Sequence, residues 1–189
     1  MSLWPDLFFV QQFFDQLECE TVLAELKAAS GGGAVVYGQG TRGAIDERVR
    51  KTFRVQPAPQ TVELVIQRLL GCKEAIEDHF GVTLTECEEP QFLRYRKGDF
   101  FVAHQDGNTG LMRLDTERRL ISTIIFLSQE SELPGPGVYC GGSLVFSNLR
   151  NRFRLQSAPG MLVAFRSETT HEVTQVTDGE RYSIASWYR

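Results

Sequence analysis

Apolar residues recur at helical spacing in two segments of the first half of the chain. Asp15 and Glu18 have the spacing of a capping box, which predicts the start of a first helix. The glycine run Gly31–Gly33 predicts its end. The apolar positions of this helix are Leu17, Val22, Leu23 and Leu26, and those of a second helix, over about residues 60–80, are Val62, Val65, Leu69, Ile76 and Phe80.

From about residue 85 onward, apolar residues alternate with polar ones or form short runs that are typical of β-strands. The predicted strands cover residues 91–96, 100–104, 120–127, 143–146, 161–165, 171–176 and 182–188, after two shorter strands at 34–37 and 52–55. Residues 38–50 are polar, charged and glycine-bearing, so we expect a mobile loop there. The pattern predicts a mainly β fold with N-terminal helices packed on one face of a sandwich or barrel.

Length, composition and charge limit the class of protein. The 189 residues suit one domain, which we expect to have helical support over about 13–80 and a β core over about 85–189. A net charge of −4 argues against nucleic acid or a membrane as partner. The four cysteines include no Cys-x-x-Cys pair, and neither a signal peptide nor a membrane span is apparent. We therefore expect a reduced, cytoplasmic protein.

Two of the three histidines lie at the ends of predicted strands. His104 and Asp106 are separated by one residue, a spacing that places both side chains on one face of a strand. His171 opens another strand much later in the chain. Two histidines and one carboxylate form the facial triad of non-haem Fe(II) oxygenases, which leaves coordination positions open. These three residues are therefore candidate iron ligands, whereas His79, on the second helix, is predicted to be structural.

Arg181 adds a candidate anion-binding group. On a strand it shares a face with Ser183 and Trp187, and its planar guanidinium matches a carboxylate. Fe(II) bound by two neutral imidazoles and one aspartate retains a charge of about +1 and can chelate the keto-acid end of 2-oxoglutarate. Arg181 can pair with the far carboxylate, because an unpaired buried charge costs about 3–5 kcal/mol.

Five motifs in order resemble those of a known family. They are Tyr95-Arg96-Lys97-Gly98 through His104-Gln105-Asp106, Arg119-Leu120-Ile121-Ser122, Gly141-Gly142-Ser143-Leu144, His171-Glu172-Val173, and Arg181-Tyr182-Ser183-Ile184 to Trp187-Tyr188. The sequence over roughly residues 91–189 is similar to the prolyl-4-hydroxylase-like Fe(II)/2-oxoglutarate dioxygenases, which include the hypoxia-sensing prolyl hydroxylases. The resemblance implies a double-stranded β-helix (jelly-roll) core and the three iron ligands named above. It also implies that Arg181 pairs with the C5 carboxylate of 2-oxoglutarate and that Tyr95 hydrogen-bonds the co-substrate near the metal.

The sequence departs from the hypoxia-sensing enzymes at two places. Phe126 stands where those enzymes have a second tyrosine on the co-substrate carboxylate, so Arg181 and Ser183 are expected to hold that carboxylate with less help. The chain also ends at Arg189, directly after the last predicted strand, where those enzymes carry a segment that grips a peptide. This second departure weakens the expectation of a long peptide substrate.

Several residues have two readings. Tyr95 and Trp187 could belong to the core, although Trp187 could equally line the substrate pocket, and Arg119 could face the pocket mouth or solvent. The run Gly38–Gly43 matches the Gly-x-Gly-x-x-Gly pattern of dinucleotide sites. A charged loop and prolines follow it where such a site needs a helix, so a lid over the active site is the favoured interpretation.

The resulting expectation is a hydroxylase that uses Fe(II), 2-oxoglutarate and O₂, with ascorbate as a further candidate cofactor. The resemblance favours a prolyl residue in a protein or peptide as the target. Alternatives are a free amino acid or small natural-product intermediate, a nucleic-acid demethylase of the same superfamily, and a non-catalytic metal-binding sensor module. The demethylase is disfavoured because Trp187 occupies the position of that branch's second arginine. The sequence does not indicate an oligomeric state.

Overall fold

Two helices precede the main β core of the chain. The computed structural model describes residues 5–33, 36–38, 41–44, 47–107, 118–148 and 150–189. Helix α1 spans Gln16–Ala28 and begins with the predicted capping box, in which Asp15 and Glu18 exchange backbone-to-side-chain hydrogen bonds of 2.8 and 3.0 Å. Helix α2 spans Pro59–Phe80 and ends at Gly81, whose φ of 62° suits a helix terminus. Neither helix has the length and apolar composition needed to cross a bilayer.

The remaining regular elements of the described residues are strands. Before α2 lie β1 (Leu7–Val10), β2 (Gly31–Gly33), β3 (Val36–Gly38), β4 (Thr41–Ala44), β5 (Arg50–Lys51) and β6 (Phe53–Val55). After α2 lie β7 (Gln91–Arg96), β8 (Phe100–His104), β9 (Ile121–Phe126), β10 (Gln129–Glu130), β11 (Val138–Gly141), β12 (Leu144–Ser147), β13 (Arg152–Arg154), β14 (Leu162–Arg166), β15 (His171–Val173), β16 (Val176–Asp178) and β17 (Glu180–Tyr188).

Two large antiparallel sheets form the centre of the fold. One has seven strands in the order β1-β14-β9-β17-β7-β6-β2, and the other has five in the order β13-β12-β15-β8-β5. Smaller sheets, β10-β11-β16 and β3-β4, flank them in the described part of the chain. Strands that are distant in sequence, such as β9 and β17, are direct neighbours. This arrangement confirms the predicted mainly β fold with a jelly-roll core.

The seven-stranded sheet has a packed interior on each of its faces. On one face it covers the helices, where Leu69 of α2 packs with Ile125 of β9 and Ile184 of β17. On the other face it meets the five-stranded sheet, where Phe126 of β9 packs with Phe146 of β12. Because successive side chains of a strand point to opposite faces, β9 and β17 contribute to both interiors.

The glycine run that was predicted to end α1 belongs to a strand instead. Helix α1 ends at Ala28, and Gly31–Gly33 pairs with β6 in antiparallel fashion. A Cβ atom on Gly31 would collide with the backbone of Arg54 and the ring of Phe53. Glycine is therefore required for the close approach of β2 and β6 rather than for helix termination.

The segment predicted as a loop over residues 38–50 contains strands. Strand β4 pairs with β3, and β5 pairs with β8. Part of this segment lies outside the described residues, namely residues 39, 40, 45 and 46, so the predicted lid over the active site stays a prediction. The first half of the strand predicted at 34–37, residues 34 and 35, also lies outside them. Short strands β1, β10, β11 and β13 also occupy segments for which no strand was predicted.

Candidate metal centre and anion pocket

Strand pairing brings two histidines together between the large sheets. In the register of β15 with β8, His171 lies directly opposite His104, and the ring centroids are 4.3 Å apart. Phe101 stacks on His104 with a centroid distance of 3.5 Å, and Phe165 meets His171 edge-on at 4.7 Å. The sheet and the aromatic neighbours therefore define the orientation of both imidazoles.

Both histidines direct the same ring nitrogen toward Asp106. Nδ1 of His104 lies 2.8 Å from the carbonyl of Val102, and Nδ1 of His171 lies 2.9 Å from the carbonyl of Thr169. Because a carbonyl can only accept, each Nδ1 carries the proton and each Nε2 of the neutral ring keeps its lone pair. The two Nε2 atoms lie 3.4 Å from carboxylate oxygens of Asp106. The three predicted ligands thus converge, with donor atoms within 4.8 Å of one another, and this donor set fits iron.

Asp106 reaches this position from beyond the strand. Strand β8 ends at His104, and the backbone N–H of Asp106 donates to the carbonyl of Ser167 at 2.9 Å. The hydroxyl of Ser122 donates to Asp106 Oδ2 at 2.7 Å and lies 2.9 Å from the hydroxyl of Ser167. His104 and Asp106 therefore converge as predicted, but Asp106 is held there by hydrogen bonds with Ser167 and with Ser122 of β9, rather than by a shared strand face.

The protonation states at this site are those that metal binding requires. Burial alone would raise the pKa of the Asp106 carboxyl, but His171 and His104 hold that pKa well below its usual range. Burial lowers the pKa of His171 to about 4, and His104 acts in the same direction while Asp106 opposes it. At neutral pH the site therefore presents a carboxylate and a neutral His171.

A buried arginine occupies the same inter-sheet interior. Arg181 is 1% exposed and lies opposite Tyr95 in the register of β17 with β7. Its guanidinium carbon lies 5.1 Å from the ring centroid of Tyr95 and 5.6 Å from that of Phe126. Nη1 donates to the Ser183 hydroxyl at 2.7 Å, whereas Nε and Nη2 have no hydrogen-bond partner among the described residues. A buried cation with two unused donor nitrogens is costly, so this pocket suits an anion with oxygen acceptors.

Trp187 lies next to Asp106, and Arg119 packs on Trp187. The guanidinium of Arg119 is 3.7 Å from the centre of the Trp187 ring, and Glu88 accepts its hydrogen bonds at 2.9 and 2.6 Å. The buried indole N–H of Trp187 makes no well-formed hydrogen bond within the described residues, yet its interaction with Asp106 helps to lower the pKa of that carboxyl. These contacts favour a supporting position for both residues over the predicted substrate contacts.

Sequence reasoning missed the residues that support the predicted ones. Ser122 and Ser167 position Asp106, and Glu88 holds Arg119. Serine and glutamate are common on protein surfaces, so the sequence alone does not distinguish these three residues from surface residues. Their hydrogen-bond partners in the folded protein do. One signal existed for Ser122, because a hydroxyl inside a continuous apolar strand must find a hydrogen-bond partner.

A family model described as the 2OG-Fe(II) oxygenase superfamily matches residues 90–189. The chain belongs to this superfamily. Its name specifies Fe(II) and 2-oxoglutarate, and the convergent donors of His104, Asp106 and His171 fit the metal. The predicted family is thereby confirmed.

Known proteins refine this assignment. A PKHD-type hydroxylase of Shewanella sp. (strain ANA-3) is 34% identical over 135 residues, which are 69% of this chain and 54% of the relative. A PKHD-type hydroxylase of Paracoccus denitrificans is 27% identical over 173 residues, which are 87% of this chain and 71% of the relative. The chain thus spans about half the length of the Shewanella relative.

Solved structures agree on the fold. A Pseudomonas putida prolyl-4-hydroxylase superposes with a TM-score of 0.73 at 21% identity and covers 98% of this chain and 92% of its own. A Trichoplax adhaerens prolyl hydroxylase, solved with a peptide fragment of hypoxia inducible factor, has a TM-score of 0.72 at 16% identity, with 97% and 83% coverage. At these identities the likeness establishes the fold alone.

Proposed function

We propose that the chain is an Fe(II)- and 2-oxoglutarate-dependent hydroxylase that uses O₂, releases succinate and CO₂, and acts on a prolyl residue of a protein or peptide. One observation carries this proposal. The same interior holds three metal donors within 4.8 Å of one another and a buried arginine with two unused donor nitrogens. A compound with a metal-chelating end and a distal carboxylate satisfies both features.

In this proposal the metal ligands are His104 Nε2, His171 Nε2 and a carboxylate oxygen of Asp106. Bound Fe(II) would supply O₂ activation and the oxidative decarboxylation of 2-oxoglutarate. The carbonyls of Val102 and Thr169 fix the Nδ1–H tautomer and the orientation of both imidazoles, and Ser122 occupies one lone pair of Asp106. These contacts keep the donors aimed at one point and leave the remaining coordination positions to substrates.

The co-substrate would lie between the metal and Arg181. Arg181 would pair with its C5 carboxylate, Ser183 would orient the guanidinium through the 2.7 Å hydrogen bond, and Tyr95 would contact the co-substrate near the metal. The rings of Tyr95 and Phe126 exclude water from around Arg181. In such a low-dielectric pocket a carboxylate–guanidinium pair is much stronger than it is in water.

The names of similar proteins support a prolyl target. The sequence relatives are PKHD-type hydroxylases, and the structural neighbours include prolyl hydroxylases, one of them in complex with a peptide. Val102 of β8, two residues before His104, is 38% exposed, so a side chain close to the metal donors is open to solvent.

Succinate formation tests the reaction. The protein supplied with Fe(II), 2-oxoglutarate and O₂ should release succinate, and Asp106→Ala should abolish this release because one ligand and the site's negative charge are lost. Circular dichroism should show that the variant stays folded. Glu89→Ala, which removes a carboxylate that is 71% exposed, should retain activity. Near-normal succinate release by Asp106→Ala, or none by the unmodified protein with any substrate, would contradict the proposal.

Mass spectrometry tests the substrate class. Incubation with lysate proteins and with a panel of free amino acids should add the mass of one oxygen atom to a prolyl residue in a protein. Oxidation confined to small molecules would instead establish the free amino acid or natural-product alternative. Metal and 2-oxoglutarate binding without any turnover would identify a sensor module.

A further inference from the structure

Tyr139, which no motif singled out, lies beside Arg181. The residue is on β11 and is 1% exposed. A Cβ atom placed on Gly142 would lie 3.3 Å from Cε2 of Tyr139 and 3.2 Å from Cδ of Arg181. Gly142 also has a φ of 60°, so this position requires glycine for both space and backbone conformation. Tyr139 and Arg181 therefore both pack against Gly142, together with Val176, whose Cγ2 atom would lie 2.8 Å from that Cβ.

The hydroxyl of Tyr139 is protonated at neutral pH. Burial raises its pKa, while the charge of Arg181 and hydrogen-bonding interactions with Ser157 and Arg181 oppose that rise. Glu130, which also raises this pKa, is bound by other groups, with Arg154 at 2.8 Å and the Ser143 hydroxyl as partners. Tyr139 is therefore a neutral hydrogen-bond donor next to a cation, an arrangement that suits a bound carboxylate.

The other walls of the Arg181 pocket offer few donors. Phe126 lies opposite Ser183 in the register of β17 with β9 and has no hydroxyl, and Ser183, which accepts from Arg181, has a single O–H to donate. A carboxylate has two oxygens and about four acceptor sites, more than the three N–H groups on Nε and Nη2 of Arg181 can fill. Tyr139 is a further neighbouring side chain that can fill one of these sites.

We propose that Tyr139 donates a hydrogen bond to the distal carboxylate of the 2-oxo diacid that pairs with Arg181, and that this contact selects diacids over 2-oxo acids that lack the distal group. The proposal rests on the proposed function. Tyr139 thereby does for this chain what a hydroxyl at position 126 would do, from a different strand.

A binding experiment with two ligands tests the proposal. Isothermal titration calorimetry would measure the affinity of the Mn²⁺-supplied protein for 2-oxoglutarate and for 2-oxopentanoate, which has a methyl group in place of the distal carboxylate. Tyr139→Phe should weaken 2-oxoglutarate about 10- to 100-fold, as expected for a lost hydrogen bond to a charged group. The same change should leave 2-oxopentanoate unaffected, and retained binding of that ligand also shows that the variant is folded.

Tyr182→Phe is the matched control. Tyr182 is also 1% exposed and is adjacent to Arg181 in sequence, but its hydroxyl donates to Glu180 at 2.9 Å, outside the pocket. This variant should bind both acids as the unmodified protein does. Thermal unfolding of both variants compares the structural cost of losing one buried hydroxyl.

Two results would overturn the role of Tyr139. Unchanged 2-oxoglutarate affinity in Tyr139→Phe would show that the hydroxyl makes no contact with the carboxylate. An equal loss for both acids would show that Tyr139 only packs against Arg181. Failure of the unmodified protein to bind 2-oxoglutarate would overturn both this inference and the proposed function. That result is seen in the unmodified protein, whereas a failure of the Tyr139 inference alone is seen only in the comparison with the variant.

Discussion

Strand β17 has two faces with the same degree of burial and different chemistry. Its helix-facing side consists of Tyr182, Ile184, Ser186 and Tyr188, and its interior side consists of Arg181, Ser183, Ala185 and Trp187. On the helix-facing side every hydroxyl has a partner: Glu180 for Tyr182 at 2.9 Å, the Glu88 carbonyl for Ser186 at 2.7 Å and the Leu69 carbonyl for Tyr188 at 2.6 Å. That side is complete without a ligand.

The interior side, by contrast, has polar groups without hydrogen-bond partners. Nε and Nη2 of Arg181 and the indole N–H of Trp187 are buried without a well-formed hydrogen bond among the described residues. Buried polar groups normally have partners, so unused donors that cluster on one face indicate space reserved for a ligand. We expect substitutions on the interior side to change binding, and those on the helix-facing side to change stability.

The largest effect is expected for Arg181→Ala. Loss of the buried pair should weaken 2-oxoglutarate by about 100- to 1,000-fold in a calorimetric titration. The ligand-free variant should be no less stable than the unmodified protein in thermal unfolding, because an uncompensated buried charge has been removed.

Arg94→Ala is the control for this change. Arg94 is 9% exposed, and its guanidinium packs on Phe53 from the other face of the neighbouring strand β7. Its replacement should leave the affinity for 2-oxoglutarate intact. Equal losses of affinity in both variants would mean that the two faces do not differ as described.

Ile184→Ala tests the helix-facing side. Ile184 is fully buried against the helices, so the cavity left by truncation should lower the free energy of unfolding by about 2–5 kcal/mol in urea denaturation. The affinity of the folded variant for 2-oxoglutarate should be unchanged. A large loss of affinity at unchanged stability would reverse the assignment of the two faces.

Trp187→Phe should have a smaller effect, on the metal. The indole N–H interacts with Asp106, and loss of a group that supports a ligand typically lowers metal affinity about 10-fold or more. Competition with a chelator would measure the Mn²⁺ affinity. Tyr188→Phe, on the opposite face of the same strand, should bind Mn²⁺ normally, and identical metal affinity in all three proteins would remove Trp187 from the metal site.

The smallest effect is expected at the Glu88 cluster, which consists of Glu88, Arg119 and Arg189. Its charges form ion pairs within the chain. Burial would raise the pKa of Glu88, but Arg119 and Arg189 together lower it. A carboxyl whose pKa is lower in the folded state stabilises the fold above its unfolded pKa, and this contribution is lost as the pH falls through that range. Glu88→Gln should therefore reduce the loss of stability between about pH 5 and pH 3 by about 1 kcal/mol.

Urea denaturation across this pH range provides the measurement for Glu88. Glu86→Gln is the control, because Glu86 contacts the same Arg189 at 3.3 Å but is 62% exposed. Its pH dependence should match that of the unmodified protein. If the two variants behaved alike, the Glu88 cluster would contribute no more than a surface ion pair does.

Local patterns predicted much of the fold correctly. The capping box at Asp15 and Glu18 and the alternation over 91–96 depend only on neighbouring residues, and the structure reproduces both. The predictions were wrong where one sequence pattern is compatible with two different local structures. The run Gly31–Gly33 suits a helix end and a close strand pair equally, and the polar segment over 38–50 resembles a loop although it contains β4.

The candidate site divides in the same way. The sequence by itself determined the kind of chemistry to expect, because His104, Asp106, His171 and Arg181 are recognisable as candidate metal- and anion-binding residues from residue type and order. Only the tertiary structure decided which residues support them. The registers that place His171 opposite His104 and Trp187 opposite Ser122 arise from many weak contacts between distant strands, and no local pattern encodes their sum.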